Sequence, residues 1–154
     1  MPTMLLNAIR ILATTLIFAN GSTVFHITVA SNVKSTDCNI TLAVGQVATI
    51  RPLGDTLPNK RNAWNVWGPG RDALGYGGNT IAIAHNRAGL APYPCPGAPE
   101  GCLVIFLGGS AIPFPANKTE LSVTGPGSLS LGPNDDNLID NQGSLNVDIT
   151  VQNP

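Results

Sequence analysis

The segment Leu145-Asn146-Val147-Asp148-Ile149-Thr150-Val151 alternates strictly between apolar and polar side chains. Successive side chains of a strand point to opposite faces. This pattern therefore describes a half-buried β-strand, with Leu145, Val147, Ile149 and Val151 inward and Asn146, Asp148 and Thr150 outward. Working back along the chain, the same signal recurs. Val24 to Ala30 places Phe25, Ile27 and Val29 on one face and Val24, His26, Thr28 and Ala30 on the other. Ile40, Leu42 and Val44 alternate with polar or small residues, and Gly45-Gln46 then turns the chain into Val47 to Arg51, so the pair reads as a hairpin. Leu103 to Leu107 is continuously apolar, as expected of a strand buried on both faces. Leu121 with Val123, and Leu129 with Leu131, mark two further short strands, and Thr80 to Ala84 is another candidate. Past residue 20 no segment sustains a helical period. Short strands joined by Gly, Pro and Asn turns indicate an all-β protein, a β-sandwich or jelly roll.

Composition agrees with one packed domain. The chain has 154 residues, 43% of them hydrophobic and only 11% charged, with 17 Gly and 13 Pro. That excludes a coiled coil and a charge-rich disordered tail. The formal charge is -1. The basic residues are scattered, with only Lys60 and Arg61 adjacent, so no basic patch is expected and nucleic acid is not an expected partner. The acids are different: Asp135, Asp136 and Asp140 crowd into one short segment.

The N-terminus has the character of an export signal. Arg10 precedes an apolar run from Ile11 to Ala19, too short to span a bilayer but suited to the core of a secretory signal. Residues 1–19 are therefore expected to be a signal peptide, leaving 20–154 as a single domain. Cleavage after Ala30 and an uncleaved amphipathic helix are the alternatives. The destination is secreted or extracellular, or periplasmic, with no membrane insertion once the signal is removed. Three cysteines follow. Cys95 and Cys102 bracket the turn PCPGAPEGC and could close a small disulfide loop in an oxidising compartment; three buried thiols is the other reading. Glycosylation triplets stand at Asn20, Asn39 and Asn117. The stretch 52–102 holds more than half of the Gly and Pro and both tryptophans, Trp64 and Trp67. A loop of that length is usually functional. The two Trp either pack beneath it or offer a stacking surface to a sugar ring.

The chemistry concentrates in Asn134-Asp135-Asp136-Asn137-Leu138-Ile139-Asp140-Asn141-Gln142-Gly143-Ser144, the loop entering the last strand. Carboxylates and Asn amides at this density repel when nothing lies between them. Hard oxygen donors in irregular array suit Ca²⁺; Mg²⁺ prefers to keep its waters, and Zn²⁺ would want His or Cys. The loop is not an EF-hand. Counted from Asp135, position six is Asp140 where Gly is required, and position twelve is Asn146 where Glu is required. A solvated Asx-rich turn is the plainer explanation. Catalysis is not expected. Gly68-Pro69-Gly70-Arg71-Asp72-Ala73 imitates a dinucleotide fingerprint but has Pro inside it and no helix after it. Ser110 lacks a nucleophile elbow. Cys95 or Cys102 with His85 would need a geometry that spacing does not supply. Asp135 and Asp136 are adjacent and would point apart on a strand, which is poor for a two-carboxylate glycosidase.

The tail segment NDDNLIDNQGSLNVDI resembles the C-terminal signature of the PA-IL family of galactose-binding bacterial lectins. Three further pieces agree in order. Val44 to Ile50 resembles a hairpin of the family, Trp67-Gly68-Pro69 its Trp-Gly-Pro loop, and Gly101-Cys102-Leu103-Val104-Ile105 its Gly-Ala-Leu-Val strand. The resemblance implies a small jelly-roll, galactose-binding-like β-sandwich that holds one Ca²⁺ at a loop end. Two vicinal hydroxyls of a galactose-containing glycan or other saccharide would complete the metal's coordination. By position, Asp135 would supply a carboxylate, Asp140 and Asn141 side-chain oxygens, and Asn137 its backbone carbonyl. One further carbonyl would come from the loop between Gly54 and Trp67. Asp135, Asp136, Asp140 and Asn141 would face the sugar, with His85 as the candidate for its exocyclic hydroxyl. The chain departs from the family in a shorter gap between Asp135 and Asp140, in Asp140 where the family has Asn, and in the absence of a clear counterpart to its pocket His and Gln. The implied function is calcium-dependent sugar binding without turnover, in a homo-oligomer that multiplies weak single sites. The alternative is an adhesion or structural module whose calcium only stiffens a loop.

Overall fold

The computed structural model describes residues 15–17, 21–53, 92–115, 118–141 and 143–153. The alternating tail forms β9, Ser144–Gln152, and lies inside a sheet rather than at its edge. One side of it pairs along its whole length with β2, Ser22–Ala30, and the other with β4, Val47–Pro52. Beyond β4 lies β7, Leu121–Thr124; beyond β2, the short β1, Thr15–Ile17, pairs with Thr23 to Phe25. The second sheet runs in the order β3, Thr36–Leu42; β8, Gly127–Pro133; β5, Leu103–Leu107; and β6, Ser110–Pro113. Every pairing is antiparallel.

The two sheets share one core. Ile27 and Val29, Ala48 and Ile50, and Leu145, Val147 and Ile149 from the first sheet form a single buried cluster with Ile40 and Leu42, Leu103 and Ile105, and Leu129 and Leu131 from the second. The inward set of β9 is the one its alternation predicts, because a strand central to its sheet must bury one whole face. β5 is buried through Val104 as well as its core-facing neighbours, in agreement with its continuous apolar run. The chain is thus an all-β sandwich of two antiparallel sheets. No helix among the described residues is long and apolar enough to cross a membrane.

The expected hairpin across Gly45-Gln46 does not form. β3 and β4 lie in different sheets, and the turn between them carries the chain from one layer to the other. In that turn Gln46 N–H donates to the Ala43 carbonyl, and of its two central residues only Gly45 has a positive φ, 82°. A turn of that kind splays its flanking strands instead of matching their twist. Val44, expected to continue the alternation, stands at this corner exposed. The hairpin that does form, β5 to β6, turns on Gly108 and Gly109, with φ of 56° and 87°. Two consecutive positive values suit the twist of a two-residue hairpin loop. The Gly-Gly pair is a turn signal in the sequence, but Ser110–Pro113 is short and ends in proline, so the sequence gives no strand pattern for β6.

The candidate strand Thr80 to Ala84, both Trp, His85, and the sequons at Asn20 and Asn117 lie outside the described residues, as does most of the expected signal segment.

Gly132 sits where β8 passes the turn before β3. A Cβ there would come within 2.2 Å of the Lys34 carbonyl oxygen, and backbone cannot step aside cheaply. Gly132→Ala is therefore expected to destabilise the protein by about 1–3 kcal/mol, and Ile149→Ala by about 2–5 kcal/mol through lost burial and a cavity. Urea-unfolding midpoints read by circular dichroism check both; a wild-type midpoint for Ile149→Ala would contradict the central placement of β9.

Candidate functional site

β8 ends at Pro133 and β9 begins at Ser144 in the other sheet, so the segment between them must cross the end of the sandwich. Its first residue, Asn134, is 0% exposed and continues the β8–β5 pairing by one step. Its N–H donates to the Cys102 carbonyl, and its carbonyl accepts from Gly101 N–H. Its side chain turns to the preceding loop, accepting from Cys95 N–H at 2.9 Å and donating to the carbonyls of Cys95 and Pro99 at 3.0 and 3.2 Å.

Asp135, Asp136 and Asn141 follow, each 5% exposed. Asp135 Oδ1 accepts from the Asn137 N–H at 3.1 Å, and Oδ2 from Asn141 Nδ2 at 2.7 Å. The same Nδ2 donates to the Ser31 carbonyl at 2.7 Å, just past the end of β2. Ser31 in turn donates through its N–H and hydroxyl to the Gly143 carbonyl. Asn141 Oδ1 is buried with no hydrogen-bond partner. Leu138–Asp140 forms one 3-10 turn that leaves Ile139 95% exposed at the rim.

A third carboxylate enters from the Cys95–Cys102 loop. One oxygen each from Glu100, Asp135 and Asp136 lie within 4.8 Å of one another. Glu100 is half-buried as a residue, with its carboxylate turned inward to this cluster. The Tyr93 hydroxyl donates to Glu100 Oε1. Burial pushes the Tyr93 hydroxyl pKa up, and the hydrogen bond and charge of Glu100 with the charges of Asp136 and Asp135 add to it. Burial also raises the Asp135 carboxyl above its usual value, against the opposing pull of the hydrogen bonds from Asn137 and Asn141.

The structure therefore brings together Asp135, Asp136 and Asn141 from the residues that the sequence singles out. Asn137 contributes its N–H to Asp135. Asn141 offers Asp135 its amide nitrogen, not its oxygen. Asp140 lies on the 3-10 turn, but its side chain, like His85 and the loop between Gly54 and Trp67, is outside the described residues. Asp135 and Asp136 lie past the end of β8, so the condition under which they would point apart, a strand, does not hold, and one oxygen of each lies within 4.8 Å of the other and of Glu100. Sequence reasoning names Asn134 only as a member of the Asx-rich segment and gives no sign of Glu100, Tyr93 or Ser31. Glu100 could have been noticed as the lone acid in PCPGAPEGC, but nothing local ties it to residues so far along the chain.

One oxygen from each of three carboxylates forms a cluster that could hold a cation, with the buried Asn141 Oδ1 on the same loop. Two oxygens bound to one Ca²⁺ at about 2.4 Å each lie no more than about 4.8 Å apart, the span these carboxylates keep. No protein-family model, curated protein or solved structure matches this chain.

The three cysteines are free and buried. Burial pushes the Cys38 and Cys102 thiols up to about 12, and raises Cys95 as well. Only the thiolate reacts readily, so Cys38 and Cys102 are expected to resist a maleimide at pH 8 in the folded protein. All three should label after denaturation without reductant. Failure of Cys95 and Cys102 to label in the denatured chain would show a disulfide in their place.

Proposed function

We propose that this protein is a calcium-dependent carbohydrate-binding module, a jelly-roll sandwich that is secreted and works without turnover. The observation that carries the reading is the meeting of Asp135, Asp136 and Glu100 beside an Asn141 oxygen that is buried and unpartnered. Buried carboxylates are costly unless protonated, paired or bound to a metal. Burial raises the Asp135 carboxyl above its usual value, and a cation beside it would offset that cost. The PA-IL-like tail supplies the second half of the reading, since in that pattern a saccharide completes the metal's shell.

A bound Ca²⁺ supplies coordination positions for two vicinal hydroxyls. The chain's own residues do the rest. Asp135 and Asp136 accept hydrogen bonds from those hydroxyls, and charged acceptors make such bonds stronger than neutral ones. Asn141 fixes the Asp135 carboxylate and ties the loop to Ser31. Ile139, exposed on the same loop, offers an apolar contact to the C–H face of a pyranose. One small sugar buries little area, so single-site binding is expected to be weak and to depend on several copies presented together.

Scanning calorimetry with Ca²⁺ and with chelator tests the metal. Ca²⁺ at about 100 times its dissociation constant should stabilise the fold by about 2.7 kcal/mol, and Asp135→Asn should abolish that gain. A glycan array in Ca²⁺ buffer tests the sugar. Galactosides retained by the wild type and lost in Asp135→Asn or Asn141→Ala support the lectin reading; Ca²⁺ stabilisation with an empty array supports the adhesion or structural module instead. No Ca²⁺ effect on stability would end both.

A further inference from the structure

The cation site proposed above draws in sequence on the β8–β9 loop and a distant carbonyl. The tertiary structure adds a carboxylate from another loop, held there by a buried amide. We propose that Glu100 is a ligand of the Ca²⁺ and that Asn134 is the positioning residue that delivers it; this rests on the calcium reading above.

The acidic cluster does not stand alone. Asn141, 5% exposed, keeps an unpartnered Oδ1 beside it, on the same amide whose Nδ2 bonds Asp135. A buried acceptor without a donor is costly, and a cation shared with the carboxylates would satisfy it. Glu100 joins this set from the Cys95–Cys102 loop. Tyr93 donates to Glu100 Oε1, which orients the carboxylate.

The Glu100 loop is closed internally by Ala98 N–H to the Cys95 carbonyl and Cys102 N–H to the Pro99 carbonyl, and it is tied to the rest of the fold through Asn134. The Asn134 bonds bracket Glu100 closely. Cys95 and Pro99 are bound before it by the Asn134 side chain, and Gly101 and Cys102 after it by the Asn134 backbone. Gly101, at φ 72°, makes the sharp turn immediately after Glu100 that returns the chain to β5. Asn134 also directly precedes Asp135. One fully buried side chain thus sets the distance between the two sources of carboxylate. A Ca²⁺ bridging two loops would be held more tightly than one on the β8–β9 loop alone, and its removal would loosen both.

Ca²⁺ titration calorimetry on the full chain tests this with Glu100→Gln, Glu100→Asp, Asn134→Ala and the double variant Asn134→Ala/Glu100→Gln. Glu100→Gln keeps the size of the side chain and its bond to Tyr93. It is expected to weaken Ca²⁺ binding at least tenfold, and Glu100→Asp less. Asn134→Ala is expected to weaken binding comparably in the wild-type background and to add nothing in the Glu100→Gln background, the signature of action through Glu100. Asn134→Ser, polar but too short to span Cys95 and Pro99, replaces the alanine variant if circular dichroism shows the latter unfolded. Glu100→Gln binding Ca²⁺ within twofold of wild type, while Asp135→Asn abolishes binding, overturns this proposal and leaves the calcium reading standing. Additive losses in the double variant overturn the positioning role of Asn134. No Ca²⁺ uptake by the wild type ends the calcium reading itself.

Discussion

Everything at the candidate site depends on one topological constraint: β8 and β9 belong to opposite sheets. Both are central strands, each hydrogen-bonded on two sides and buried on its inner face. Neither can shift register without turning its apolar set to water. The segment that joins them is therefore anchored at both ends and has to cross the mouth of the sandwich. Polar residues placed on such a crossover are carried inward, because the core lies directly beneath. That is why Asp135 and Asp136, in a loop, are as buried as many core residues.

Burial of this kind needs compensation, and the structure provides part of it locally. Asp135 accepts from the Asn137 backbone and the Asn141 amide; Asn141 ties back to Ser31. These bonds make the loop a continuation of the β2 and β9 ends rather than an excursion from them. The remaining imbalance is electrostatic. Burial, with a smaller contribution from the Asp136 charge, raises the proton affinity of Asp135, and burial with the Glu100 hydrogen bond and the nearby charges raises that of the Tyr93 hydroxyl. Such a site can relieve itself by protonation or by a cation.

The Cys95–Cys102 loop shows the same economy. Its two cysteines invite a disulfide on spacing alone. In the structure they are free, and the loop is closed by Asn134, which bonds backbone groups at both ends of it. A single buried amide with all its polar atoms engaged can fix a short Pro- and Gly-rich turn without a covalent link.

Most of the all-β architecture was legible in the sequence, for a local reason: period-2 alternation and turn residues report directly on a strand with one wet and one dry face. β9, β2, β5 and β8 could be read that way. Sheet membership could not. The pairing of β3 and β4 was misjudged because Gly45 sets a splaying turn where alternation on either side suggested a hairpin, and turn geometry depends on dihedrals that composition does not record. The candidate site divides along the same line. Asp135, Asp136 and Asn141 stand out because they are close in sequence, and local density is visible to the eye. Glu100, Tyr93 and Ser31 join them only through contacts between distant segments, and no one-dimensional pattern encodes which loops the two sheets will press together. The sequence by itself determined that strands would form, which faces they would bury, and that acidic and amide groups would gather before the last of them. Only the tertiary structure decided which strands are neighbours and which carboxylate completes the cluster, because both follow from where a crossing chain ends up once the core has closed.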